Sequence, residues 1–137
     1  MKPIENQLLE LLDNIKKKPG MYLGNKSITK LHMYLEGFLH ASNILYGGER
    51  CLKFFKGFQE WTEMKYDITS SHHWSSIIRF YSNDESCAFD IFYENLYEFL
   101  NLDEKERDYT YIIHKKERWL KIKEEYWSRI SDLKENI

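Results

Sequence analysis

Residues 84–101 read DESCAFDIFYENLYEFLN. Within them Ala88, Phe89, Phe92, Leu96 and Phe99 recur at intervals of mostly three or four residues. That spacing gathers side chains on one side of an α-helix, whereas a strand would scatter them over both faces. Asn83 or Asp84 supplies a side-chain oxygen for the first turn's amides. The stretch predicts a helix with a buried apolar stripe, and such a stripe has to be covered by further elements.

The same period extends in both directions. Towards the N-terminus, Pro3 suits a first helical turn, and Ile4, Leu8, Leu11, Leu12 and Ile15 mark a helix that ends in Lys16–Lys18 and is stopped by Pro19. Lysines suit that end because the helix dipole is negative there. Ser27 caps a second run through Ile28, Leu31, Leu35, Phe38 and Leu39, which breaks at Gly47–Gly48. A third segment, ERCLKFFKGFQEWTEM, aligns Leu52, Phe55 and Phe58, or Phe54, Phe58 and Trp61, with Gly57 interrupting it. WSSIIRFYS reads as a strand or a short helix, with helix preferred. Beyond the charged connector NLDEKERD, YTYII carries strand-forming residues. A long charged helix then runs from about Lys115 to Asn136, with Trp119, Ile122, Tyr126, Ile130 and Leu133 spaced to dock on a core. The expected fold is mainly α: one helical domain of about five helices over residues 1–137, with room for a short β element near 109–113.

A chain of 137 residues can bury one core without a metal or disulfides. Aromatic residues make up 16% and charged residues 31%, which suits an aromatic interior under a charged surface and argues against disorder. Cys51 and Cys87 show no CxxC or Cys/His spacing and read as buried thiols of a reducing compartment. The start, MKPIENQLLELLDN, has acids within its first apolar stretch, unlike a signal peptide, and no run reaches the roughly 18 apolar residues of a membrane span. A cytoplasmic protein with no membrane contact is expected.

The segment KKKPGMYLGNKS, residues 16–27, contains the glycines and lysines of a phosphate loop. The well-specified loop needs GxxxxGK[ST] after a strand; here Gly20 and Gly24 are four apart, Asn25 intervenes, and a helix precedes. The simpler reading is a corner: Pro19 ends one helix, Gly20 and Gly24 turn the chain, Met21, Tyr22 and Leu23 plug the gap, and Ser27 starts the next helix. Lys16–Lys18, Lys26, Lys30 and Tyr22 form a basic, aromatic cluster, but the net charge of −2 and the lack of a recognition-helix pattern speak against nucleic acid. His72 and His73 are adjacent, and His32 and His40 are eight apart, so neither pair specifies zinc. Glu36 and His40 have i, i+4 spacing, which suits an acid/base pair as well as ordinary surface neighbours. No catalytic residue, metal or cofactor is expected.

Charge is unevenly spread. Residues 83–108 hold nine acids against two bases, a local charge of −7. Asp90, Glu94 and Glu98 recur every four residues as an acidic ridge, flanked by Tyr93 and Tyr97 and preceded by Asp84 and Glu85. The ridge reads as a solvated face, as a face neutralised by Lys115, Lys116, Arg118, Lys121 and Lys123, or as a binding face for a basic partner.

Two resemblances bear on these residues. KKPGMYLG resembles the RPGMYIG segment of the ATPase subunits of type II topoisomerases, whose next helix carries a water-activating glutamate and, four residues later, a magnesium-holding asparagine. Glu36 stands at a comparable place, but His40 follows four residues on and no DxGxG adenine loop occurs. The pieces PGMYLG, SITKLHMYLEGFLHA, HHWSSIIRFYS and CAFDIFYENLYEFL are similar to those of small bacterial proteins of toxin-immunity loci, over roughly residues 5 to 100. That resemblance implies a cytoplasmic protein that binds and neutralises a cognate toxin, with a nuclease suited to the charge. The expected contact residues are Asp84, Glu85, Asp90, Tyr93, Glu94, Tyr97 and Glu98. The alternative is a small nucleotide-linked enzyme or regulator using the PGMYLG loop and Glu36. Oligomeric state and the role of the segment from Asp103 stay open.

Overall fold

A computed structural model describes residues 4–47 and 55–136. Pro3, Gly48, Cys51, Leu52 and Phe54, which figure in the helix and thiol expectations, lie outside the described residues. The elements are α1 (Ile4–Lys17), α2 (Pro19–Leu23), α3 (Ile28–Tyr46), α4 (Phe58–Tyr66), α5 (Trp74–Phe80), α6 (Glu85–Leu100), α7 (Glu104–Arg107) and α8 (Tyr109–Glu135). The fold is mainly α, with no strand among the described residues. The described residues form eight helices where about five are expected, because the corner and the charged connector each wind into a short one and WSSIIRFYS forms α5.

The helix ends follow local chemistry. Lys18, kept out of the helical region at φ −136° and ψ 61° by the following proline, separates α1 from α2, and Pro19 occupies the first turn of α2. Gly24, at φ 84°, closes α2 by donating its N–H to the Gly20 carbonyl at 3.0 Å. Ser27 caps α3 by accepting from the Lys30 amide, as its position predicts. Asp84 caps α6 through the Cys87 amide at 2.7 Å. The expected strand tendency of YTYII is overturned. Asp108 accepts from the Tyr111 amide at 3.1 Å, which makes these residues the first turn of α8, and Ile112 turns inward.

One core joins α1, α3, α4, α5, α6 and α8 through Leu12, Leu31, Phe58, Trp74, Phe92 and Ile112 among others. Phe58 is its hub, with ring neighbours Phe55, Trp61, Trp74, Phe92 and Phe99 at centroid separations of 4.8–5.9 Å. The stripe Ala88, Phe89, Phe92, Leu96 and Phe99 is fully inside, as α6's period requires. Of the corner residues, Tyr22 and Leu23 pack against the core, while Met21 points into solvent and does not plug the gap. The docking stripe expected on the last helix is covered only in part. Trp119 and Ile130 are half-buried, but Ile122, Tyr126 and Leu133 are exposed, and the buried contact is made earlier, by Ile112.

Candidate partner-binding face

Helix α6 buries its apolar side against α3, α4 and α5, and this fixes which acids reach water. Asp90, Glu94, Tyr97 and Glu98 form an exposed line along it. Asp84 and Glu85 belong to its start and have structural duties. Asp84 is the cap, and Glu85 accepts from Ser27 Oγ (2.9 Å), the Thr29 amide (3.0 Å) and Thr29 Oγ1 (2.8 Å), with Arg79 Nε at 3.3 Å. Partial burial pushes the Glu85 carboxyl up, but the bonds from Thr29 and Ser27 and the Arg79 charge outweigh it and hold this group below the usual carboxylate range. Glu85 therefore joins the starts of α3 and α6.

Tyr93 is removed from the expected surface. It lies four residues after Phe89 and three before Leu96, hence on the inward side, where it is 2% exposed. Its hydroxyl donates to the Leu12 carbonyl at 2.6 Å, and burial, with Tyr97 and Asp13 nearby, pushes the phenol well above its ordinary value. Tyr97 is the ring that reaches the surface. Lys16 Nζ sits 4.6 Å from its centroid and donates to its hydroxyl, which in turn donates to Asp13 Oδ1, both at 3.4 Å.

The ridge is partly neutralised within the molecule, though not by the C-terminal helix. Lys26 Nζ meets Asp90 Oδ2 at 2.7 Å, and Lys65 pairs with Glu98. Glu94 has no ionic partner among the described residues. Helix α8 uses its cations elsewhere: Lys116 Nζ on Glu63 at 3.0 Å and Lys123 Nζ on Asp67 at 2.6 Å. The Lys123 hydrogen bond holds Asp67 below the usual carboxylate range, and the Trp119 indole adds a bond at 3.2 Å. Lys26 lies 64 positions from Asp90 and Lys65 lies 33 from Glu98, so sequence spacing carries no signal of these pairs.

Histidines that the sequence keeps apart converge on a cleft of about 690 Å³ between α3, α4, the 69–73 loop and α8. His40, His72, His73 and Glu36 line it with Glu63 and Lys116. Gln59 anchors the loop, donating to the His72 carbonyl and accepting from the Trp74 amide, each at 2.7 Å. Behind His73, with ring centroids 5.1 Å apart, desolvation keeps His32 below its ordinary pKa against the pull of Glu36, and His73 adds to the lowering. No group of three His, Cys, Asp or Glu among the described residues could hold a metal ion. No residue of 19–24 lines this cleft, so the PGMYLG corner and Glu36 do not meet there. Cys87 is a half-buried free thiol. No described helix is long and apolar enough to cross a membrane. Compared with family models, curated proteins and solved structures, the chain has no significant match.

Proposed function

We propose that this chain is an immunity-type protein that binds a cognate bacterial toxin in the cytoplasm and blocks it stoichiometrically, without catalysis or cofactor. The observation that carries the reading is the exposed line Asp90, Glu94, Tyr97 and Glu98 on a helix whose other side is locked in the core. A ridge so mounted meets a basic cleft with little loss of freedom. Its lysine partners Lys26 and Lys65 are themselves partly exposed, and surface pairs of this kind are worth at most about 1 kcal/mol, so an incoming cationic surface can displace them. Tyr97 adds ring area beside the acids. Tyr93, Asp84 and Glu85 hold the helix in place and are not contact residues in this reading. The negative field of residues 83–108 speeds encounter with a basic toxin such as a nuclease.

The test is co-expression with the toxin domain encoded by the neighbouring reading frame. Glu94→Lys combined with Tyr97→Ala should weaken toxin binding about a hundredfold and abolish protection, with helicity unchanged by circular dichroism. Full protection by that variant removes the ridge from the function. ATP with magnesium should leave the melting temperature where it is; a rise with ligand concentration would support the nucleotide reading instead.

A further inference from the structure

Helix α8 leaves the body of the protein halfway along its length. Its last ties are Trp119 Nε1 and Lys123 Nζ, both on Asp67 Oδ1. From Glu124 to Asn136 every side chain is exposed except the half-buried Ile130, and among the described residues none of them bonds to the body. This overhang is about 18 Å of helix at 1.5 Å per residue. It is not a polar arm: Ile122 is 66% exposed, Tyr126 59%, Trp127 64% and Leu133 65%. With Ile130, the residues Ile122, Tyr126 and Leu133 follow one another at steps of four, four and three, and so share one side of the helix. A helical stretch this short without tertiary contact is marginal in water, and a run of exposed rings and aliphatics marks a contact surface.

We propose that the covering element is the same overhang of a second copy, packed antiparallel about a twofold axis level with residue 127. The register follows from two features. At 1.5 Å per residue, antiparallel pairing about residue 127 interleaves the apolar side chains in the order Leu133′, Ile122, Ile130′, Tyr126, Tyr126′, Ile130, Ile122′, Leu133, with primes marking the second copy. Successive members are roughly 1.5–3 Å apart along the seam, so each fills the gap left by the other helix. The same register sets Glu125 level with Arg129′ and Arg129 level with Glu125′ along one edge, two reciprocal ion pairs of the kind a twofold interface repeats. On the opposite edge the two Trp127 come level with each other. A parallel pairing would instead turn the Glu125 and Arg129 edge towards the Trp127 edge of the other copy, so neither reciprocal pair would form. The two reciprocal Glu125–Arg129′ pairs thus favour a second copy, set antiparallel, as the covering element.

Sedimentation velocity on the purified full chain, from low micromolar to sub-millimolar concentration, should show a reversible shift from 16.7 kDa to twice that mass. Tyr126→Glu, which places two like charges beside the axis, should weaken self-association by about tenfold or more while leaving the body folded. Glu125→Arg and Arg129→Glu should each weaken it about tenfold, because each variant alone sets like charges opposite one another. An equimolar mixture of these two variants should regain dimer. In the mixed pair the introduced arginine of one chain meets the introduced glutamate of the other, and the unchanged Arg129 of the first meets the unchanged Glu125 of the second. A wild-type chain that stays monomeric throughout, or a mixture that fails to regain dimer, overturns the proposal. So does a monomeric chain whose toxin affinity falls with Tyr126→Glu, which would assign the overhang to the toxin. The sedimentation arms use the chain alone, so they succeed or fail independently of the ridge on α6.

Discussion

Glu85 shows how much of this molecule rests on single side chains. One carboxylate takes three hydrogen bonds from Ser27 and Thr29 and faces Arg79, so it ties the start of α3 to the start of α6. Its pKa is depressed in the folded chain, so its stabilising contribution is complete above the ordinary value of 4.5 and is lost as pH falls through the lower folded value. Urea midpoints should therefore show Glu85→Gln clearly weaker than wild type at pH 7, with the gap closing as the pH drops below that of an ordinary glutamate. A gap independent of pH would mean that the carboxylate charge is not what Ser27 and Thr29 hold. Residues such as this one are poorly legible in sequence because their partners lie 56 and 58 positions away. Tyr93 is legible, and its surface expectation fails for a specific reason. Its interval from Phe89 and Leu96 assigns it to the buried side, and only the hydroxyl suggests water; the Leu12 carbonyl satisfies that hydroxyl inside.

At the level of elements, the α4–α8 contact is set by one backbone position. Gly57 precedes α4 at φ 92°, and a Cβ there would approach Ile112 Cδ1 to 2.6 Å. Ile112 is packed on the core and would have to shift, and the left-handed backbone is unfavourable for alanine in any case. Gly57→Ala should cost about 1–3 kcal/mol of unfolding free energy in denaturant titration, with the largest amide shifts around Ile112. The sequence signals this glycine as an interruption, which it is, but gives no sign that α8 fills the space it leaves. Helices α3 and α6 are readable because a cap and a repeating apolar interval coincide at each, whereas α8 begins earlier than its composition suggests. Tyr109 to Ile113 favour strands as isolated residues, yet Asp108 offers an acceptor at the right distance and no neighbouring strand exists among the described residues.

Over the whole molecule, periodicity identifies which positions on a helix belong together but not whether anything lies against them. The interval Ile122, Tyr126, Ile130, Leu133 is as regular as that of α6, yet one stripe is inside and the other, apart from the half-buried Ile130, faces water. The body accordingly owes little to the last turns of α8. A chain ending at Lys123 should melt within about 2 °C of the full-length protein at a concentration where both are monomeric, losing helical signal for the missing residues alone. A much lower melting temperature would show that residues 124–136 support the core. The overhang also has an optical consequence. Trp61 and Trp119 are half-covered and Trp74 is buried, whereas Trp127 stands in water beside Tyr126, with ring centroids 5.7 Å apart. The chain thus carries an intrinsic fluorophore at the place where its surroundings change on assembly, and a blue shift or protection from a soluble quencher reports occupancy of that helix without any label.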